Sequence, residues 1–201
     1  MSQPSPWNLP NALTVGRVLL VPVLGLLLTH DGGQDPGWRL AALGVFLVAI
    51  ATDRVDGELA RRWNLVTDFG KVADPIADKA LIGTALVLLS VLGLLPWWVT
   101  VVMLARELGI TLLRFVVIRH GVMPASHGGK LKTVLQSVAI SIFVFPTEIW
   151  MPEWVLVVAW AVMAAAVLVT LATGIDYVVQ AVRMRRGSER TAAKQAAGGP
   201  V

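Results

Sequence analysis

The sequence predicts an all-α membrane protein with six transmembrane helices, and three observations carry that prediction. Apolar residues gather in runs near or above the ~20 residues a helix needs to cross a bilayer. Charged residues make up 15% of the 201-residue chain and hydrophobic ones 56%, with a mean hydropathy of +0.70; a soluble domain carries about a quarter charged residues. Basic residues, finally, fall almost entirely on one side of the loops that six spans create. The length allows one helical membrane domain, residues 1–182, and a short tail. With no cysteine, the chain forms no disulfide, thiolate nucleophile or zinc–thiolate site. His30, His120 and His127 lie apart in sequence and read as loop residues. The net charge of +4 is spread as a topology signal, and no nucleic-acid partner is expected.

The first ten residues are polar and Pro-rich, with Trp7 and Leu9 as interfacial anchors. The first span covers residues 12–29; no basic stretch precedes it and no small-residue cleavage site follows, so it reads as a retained helix and not a signal peptide. Residues 30–37 are a Gly/Asp-rich turn. The second span, 38–62, carries Asp53, Asp56 and Arg61 in its last turns. The third, 70–94, carries Asp74 and Asp78 in its first turns, where Pro75 is tolerated because its missing N–H has no helical partner to lose. Span four, 96–120, opens on Pro96-Trp97-Trp98. Span five covers 130–145, residues 146–152 turn, and span six covers 153–182. Residues 183–201 are basic, then Ala/Gly-rich, and are expected to be a disordered tail.

Six spans put both termini and the loops at 62–70 and 119–130 on one side. That side holds Arg61, Arg62, Lys71, Arg119, Lys130, Lys132 and the tail's Arg183, Arg185, Arg186, Arg190 and Lys194. The opposite loops carry no Lys or Arg, although Arg39 lies just beside one of them, and Trp97, Trp98, Trp150 and Trp154 form an aromatic belt there. The positive-inside rule makes the basic side cytoplasmic. The expected location is the cell (inner or plasma) membrane.

The one strongly polar stretch is residues 53–78. Asp53 and Asp56 are three apart, Asp74 and Asp78 four apart, so each pair shares one helix face. Both pairs reach the same membrane edge, so four carboxylates can aim at one region. Such carboxylates repel one another unless they share cations, and hard divalent ions such as Mg²⁺ favour these ligands. Gly57 and Gly70 leave room for close approach, and Arg61 offers a planar fork suited to phosphate. The stretch reads as a metal-plus-phosphate site in a cytoplasm-facing cavity between helices. Solvated acids or helix caps would account for one or two of these residues, not for four at membrane depth.

The string D-x2-D-G-x2-A-R-x8-G-x3-D-x3-D is present without a departure, as Asp53, Asp56, Gly57, Ala60, Arg61, Gly70, Asp74 and Asp78. It resembles the signature of the CDP-alcohol phosphatidyltransferases, membrane enzymes of phospholipid synthesis built on six helices and typically dimeric. The resemblance implies attack of an alcohol on the lipid-side phosphoryl group of a CDP-linked lipid, with CMP leaving. By position it implies Asp53, Asp56, Asp74 and Asp78 as ligands of two divalent ions, Mg²⁺ or Mn²⁺, with Asp78 also the general base. It places the CDP part against Asp56, Gly57, Ala60, Arg61, Thr67 and Gly70.

Further stretches bear on the acceptor. The N-terminal segment N-L-P-N-A-L-T-V-G-R, with Asn11, Thr14 and Arg17, is similar to that of the phosphatidylglycerophosphate-forming members of the family. So are Ala105-Arg106-Glu107 followed by Arg114, the segment 124–136 with Lys130, Lys132, Thr133 and Gln136, and Thr173-Gly174-Ile175-Asp176-Tyr177. This implies CDP-diacylglycerol and sn-glycerol 3-phosphate as substrates. An acceptor bearing its own phosphate needs cationic partners, and Arg106, Arg114, Lys130 and Lys132 are the candidates. Topology anchoring explains the two lysines equally well, and an internal pair with Glu107 would explain Arg106. Rival readings are the same chemistry with phosphatidylglycerol (cardiolipin synthesis) or inositol phosphate as acceptor, and a transporter whose acids bind a permeating ion. The Asp motif has no second copy in spans four to six, which counts against the transporter.

Overall fold

The computed structural model describes residues 8–63, 65, 67–117 and 127–196, with the backbone alone for 61, 68, 71, 114–117, 127–130 and 183–196. Every regular element among the described residues is helical. The helices are α1 (Leu9–Thr29), α2 (Pro36–Arg62), α3 (Asp68–Val91), α4 (Trp97–Val117), α5 (His127–Val144), the single turn α6 (Thr147–Trp150) and α7 (Glu153–Ala196).

Local chemistry sets the helix starts. Asn8 caps α1 by accepting the Asn11 N–H at 2.9 Å, so the helix begins at Leu9, three residues before the expected span. Asp35 caps α2 through the Gly37 and Trp38 N–H groups, and Pro36 takes the first helical position. Thr67 caps α3 by accepting the Gly70 N–H at 3.1 Å. Between α1 and α2 the chain turns through His30–Gly33, with Asp31 and Gly32 in the left-handed region, within the turn-rich loop expected there. Gly33 is required there: its φ is +72°, and a Cβ would stand 2.8 Å from a Leu92 methyl.

The helices run alternately up and down. Arg17 meets Asp53 across α1 and α2, Thr14 meets Asp74 across α1 and α3, and Ser90 meets Thr100 across the α3–α4 turn at 2.7 Å. Lys132 reaches Glu107 between α5 and α4, and Phe143 packs edge-on against Trp160 of α7. The shared core runs through Leu24, Phe46, Leu86, Met103, Ile140 and Met163, all fully buried. Outside this core the helices expose large apolar side chains such as Leu19, Leu26, Val157, Leu168 and Ile175, far more than water tolerates on a monomer.

Among the described residues two helical segments, Leu9–Gly33 and Glu153–Val182, are long and apolar enough to cross a membrane by length and composition. The others carry more charge, some of it paired inside the bundle. Arg39, 2% exposed, donates from Nε to the Val144 carbonyl and from Nη2 to the Phe143 and Phe145 carbonyls, while Nη1 pairs with Glu148. It thereby caps the C-terminus of α5, whose last carbonyls have no helical donors. The last helix continues to Ala196, past the expected boundary at 182 and through most of the stretch expected to lack order. Ala, Arg, Lys, Gln and Glu dominate that stretch, and all are strong helix formers.

Candidate active site

One end of the bundle collects the polar residues: the first turns of α1, α3 and α5, the last turns of α2 and the second half of α4. On α1, Asn8, Asn11, Thr14 and Arg17 recur every third residue and form one ridge. Each ridge residue contacts the α2–α3 region. Asn8 Nδ2 donates to the Leu65 carbonyl at 3.3 Å. The Asn11 carboxamide lies 2.9 Å (Nδ2) and 3.0 Å (Oδ1) from Thr67 Oγ1. Thr14 Oγ1 sits 2.5 Å from Asp74 Oδ1 and 3.1 Å from the Pro10 carbonyl, which share its one proton. Arg17, its side chain fully buried, donates from Nη1 to Asp53 Oδ1 at 2.6 Å and from Nη2 to Asp56 Oδ2.

The four aspartates share this region. Asp56 is 3% exposed and lies within electrostatic reach of Asp53, Asp74 and Arg17. Asp78, half-buried, lies within reach of Asp53, Glu107, Lys132 and Arg17. Among the described residues, however, no three acidic or imidazole side chains stand in closed metal-binding geometry. A guanidinium bridges the α2 pair, and a threonine hydroxyl engages Asp74. The donor set still fits a hard divalent cation, being carboxylate oxygen from two helices without sulfur or imidazole, with Arg17 bonded to only two of the four groups.

Gly70, buried, is the tightest point of the site. A Cβ there would lie 3.0 Å from Asn11 Oδ1 and 3.3 Å from Thr67 Oγ1. Gly57 and Ala60 follow Asp56 on the last turns of α2, half-buried. The side chain of Arg61 lies outside the described residues.

A cavity beside Asp78 is lined by Lys79, Gly83, Glu107, Lys132, Thr133 and Gln136. Lys132, buried, pairs with Glu107 Oε1, which also accepts from Arg106 Nη1 at 3.0 Å. Arg106 is otherwise committed to α7: Nε donates to the Thr170 carbonyl at 3.2 Å, Nη2 to Thr173 Oγ1 at 2.8 Å, and the guanidinium carbon lies 5.8 Å from the Tyr177 ring centre. Arg106 thus bonds within an internal network and lines a second cavity with Ile110 and Gly174, while of the four expected phosphate partners Lys132 alone is described at the cavity beside Asp78. The side chains of Arg114 and Lys130 lie outside the described residues. Sequence reasoning passed over Lys79, which only its place in the cavity distinguishes from an ordinary anchor, and it met Asn8 and Thr173 only as parts of motifs, without their contacts.

Residues 7–172 match the family model described as CDP-alcohol phosphatidyltransferase. The chain belongs to the CDP-alcohol phosphatidyltransferase family, which makes it a membrane-associated transferase of phospholipid synthesis. It is 53% identical over 185 residues to a probable phosphatidylglycerophosphate synthase of Mycobacterium tuberculosis (strain H37Rv), covering 92% of this chain and 87% of the relative. It is 40% identical over 145 residues to the CDP-diacylglycerol–glycerol-3-phosphate 3-phosphatidyltransferase of Bacillus subtilis (strain 168), covering 67% and 75%. A relative of the same name from Shigella flexneri serotype 5b (strain 8401) is 38% identical over 178 residues, covering 85% and 93%.

Proposed function

We propose that the protein transfers the phosphatidyl group of CDP-diacylglycerol to sn-glycerol 3-phosphate, giving phosphatidylglycerophosphate and CMP. The observation that carries this reading is the complete eight-position signature in the sequence, supported by the cavity lined by Asp78 and Lys132. The names of the relatives favour glycerol 3-phosphate over phosphatidylglycerol or inositol phosphate as acceptor.

In the proposed reaction an acceptor hydroxyl oxygen forms a bond to the lipid-side phosphorus. The P–O bond to the cytidylyl phosphate breaks, CMP keeps that electron pair, and the hydroxyl proton passes to an Asp78 carboxylate oxygen. Asp53, Asp56, Asp74 and Asp78 would hold two divalent ions, Mg²⁺ or Mn²⁺. When bound, these supply positive charge for the diphosphate and the leaving CMP. Asp56, Gly57, Ala60, Arg61, Thr67 and Gly70 line the CDP side, where the Thr67–Asn11 contact holds the start of α3 against α1. Lys132, with Arg114 and Lys130, receives the acceptor's phosphate, sharing its ammonium with Glu107. Arg106 keeps Glu107 in place from behind.

We place this site at the cytoplasmic end of six membrane-crossing helices in the cell membrane, α1 to α5 and the first part of α7, with both termini cytoplasmic and the enzyme a homodimer. The basic residues on the site's side and the exposed tryptophans at the other support that orientation.

The test offers purified protein CDP-diacylglycerol with glycerol 3-phosphate, inositol phosphate or phosphatidylglycerol in parallel. Label is expected in lipid from glycerol 3-phosphate alone, lost with EDTA and regained with Mg²⁺. Transfer to a different acceptor would overturn the substrate, and transfer to none would overturn the reaction.

A further inference from the structure

We infer that Arg17 is a built-in counter-cation of the α2 aspartates, and that divalent-ion binding at this site is an exchange in which Arg17 gives up its hold on Asp53 and Asp56. The inference rests on the reading of those aspartates as metal ligands.

Three observations lead to it. Arg17 lies on the first half of α1 with its side chain fully buried, yet both of its charge partners are on α2. A buried guanidinium is held there only by compensating charge and hydrogen bonds, and here both come from two of the expected ligands. Its two Nη atoms meet different carboxylates, Nη1 with Asp53 and Nη2 with Asp56, so one side chain gathers the pair. Nε is buried and has no hydrogen-bond partner among the described residues, so the guanidinium is not locked in place from behind. Arg39 differs: its Nε and Nη2 are both fixed by carbonyls of the α5 terminus.

The physical consequence follows from charge. Two carboxylates side by side repel, and a cation between them offsets that repulsion. Arg17 holds the two carboxylates together through separate Nη atoms. The same positive charge then opposes an incoming divalent ion. Occupation of the α2 aspartates therefore weakens the Arg17 contacts, and the freed guanidinium stands beside the ion site with donors suited to a phosphate oxygen. Arg17 is a positioning residue for the α2 aspartates and an electrostatic competitor of the metal.

The experiment measures Mn²⁺ binding to the full-length protein in detergent without substrate, by electron paramagnetic resonance of free Mn²⁺, for wild type, Arg17→Gln, Arg17→Lys and Asp74→Asn. Thermal unfolding of each is followed with and without Mn²⁺. Removing the competing charge is expected to tighten Mn²⁺ binding in Arg17→Gln by roughly tenfold. Arg17→Lys keeps the charge and stays within about threefold of wild type, since a lysine replaces the charge but not the fork. Arg17→Gln is also expected to lose more thermal stability without Mn²⁺ than with it. Unchanged or weaker binding in Arg17→Gln, or equal loss of stability in both conditions, overturns the exchange. If Arg17→Gln fails to fold, Arg17→Lys decides: binding weakened more than tenfold makes Arg17 a support of the metal and sinks the inference. Failure of wild type to bind Mn²⁺, or full binding by Asp74→Asn, removes the metal site itself and the inference with it.

Discussion

Thr67 Oγ1 lies 2.9 Å from Asn11 Nδ2, joining residues 56 apart in sequence across the entrance of the site. The same hydroxyl oxygen accepts the Gly70 N–H at 3.1 Å and so caps the helix that carries Asp74 and Asp78. One side chain thus sets both where α3 begins and how it sits against α1. Thr67→Ala is expected to lower stability by about 1 kcal/mol, the usual loss for an N-cap, and to slow transfer roughly tenfold through misplaced ligands. Thr67→Ser keeps the oxygen and should restore most of both. Thermal unfolding and label transfer check this pair.

Gly70 tests the same packing from the other side. A methyl group there meets Asn11 Oδ1 at 3.0 Å and Thr67 Oγ1 at 3.3 Å, so the contact that joins α1 to the cap of α3 must give way. Gly70→Ala is expected to slow transfer roughly 10- to 100-fold. Gly109→Ala, where a Cβ meets nothing within 4 Å, should change it less than about twofold. Rates of the two variants, measured at equal folded protein, make the comparison.

Arg106 and Lys132 meet at Glu107 but are expected to fail differently. Arg106 holds α4 to α7 through the Thr170 carbonyl and Thr173, so Arg106→Ala should lower stability by about 3 kcal/mol and weaken use of both substrates. Lys132 lines the cavity beside Asp78. Lys132→Ala should raise the KM for glycerol 3-phosphate at least tenfold, with little change for CDP-diacylglycerol. Steady-state kinetics on both substrates separate the two.

The absence of cysteine makes topology directly measurable. Single substitutions Gln34→Cys and Ser188→Cys in intact cells should differ: a membrane-impermeant maleimide is expected to label position 34 and not position 188. Labelling of both from outside, or the reverse pattern, contradicts the cytoplasmic placement of the site.

The aspartate pairs were legible in the sequence because their signal is local: helical spacing alone puts Asp53 with Asp56 and Asp74 with Asp78. The all-helical class was legible for the same reason. What each charge touches was not. Arg17 falls mid-way along an apolar run, and only the antiparallel packing of α1 on α2 brings it to Asp53 and Asp56. Arg39 resembled a stray charge beside a loop until the end of α5 supplied three carbonyls and Glu148 a carboxylate. For Arg106 the pair with Glu107 was foreseeable from adjacency, but its carbonyl and hydroxyl partners on α7 lie more than 60 residues away. The helix beyond residue 182 was missed because a basic, Ala-rich composition favours both a solvated chain and a helix.

The most direct measurement is transfer of label from glycerol 3-phosphate into lipid, with CMP release followed in the same reaction, for wild type and Asp78→Asn. Wild type is expected to release one CMP per lipid labelled, only with a divalent ion present. Asp78→Asn should be slower by about 10²-fold or more, the usual contribution of a general base, while it still folds and binds CDP-diacylglycerol. Substantial turnover by folded Asp78→Asn would remove Asp78 from the base role. Wild-type transfer indifferent to EDTA would contradict the metal-assisted reaction.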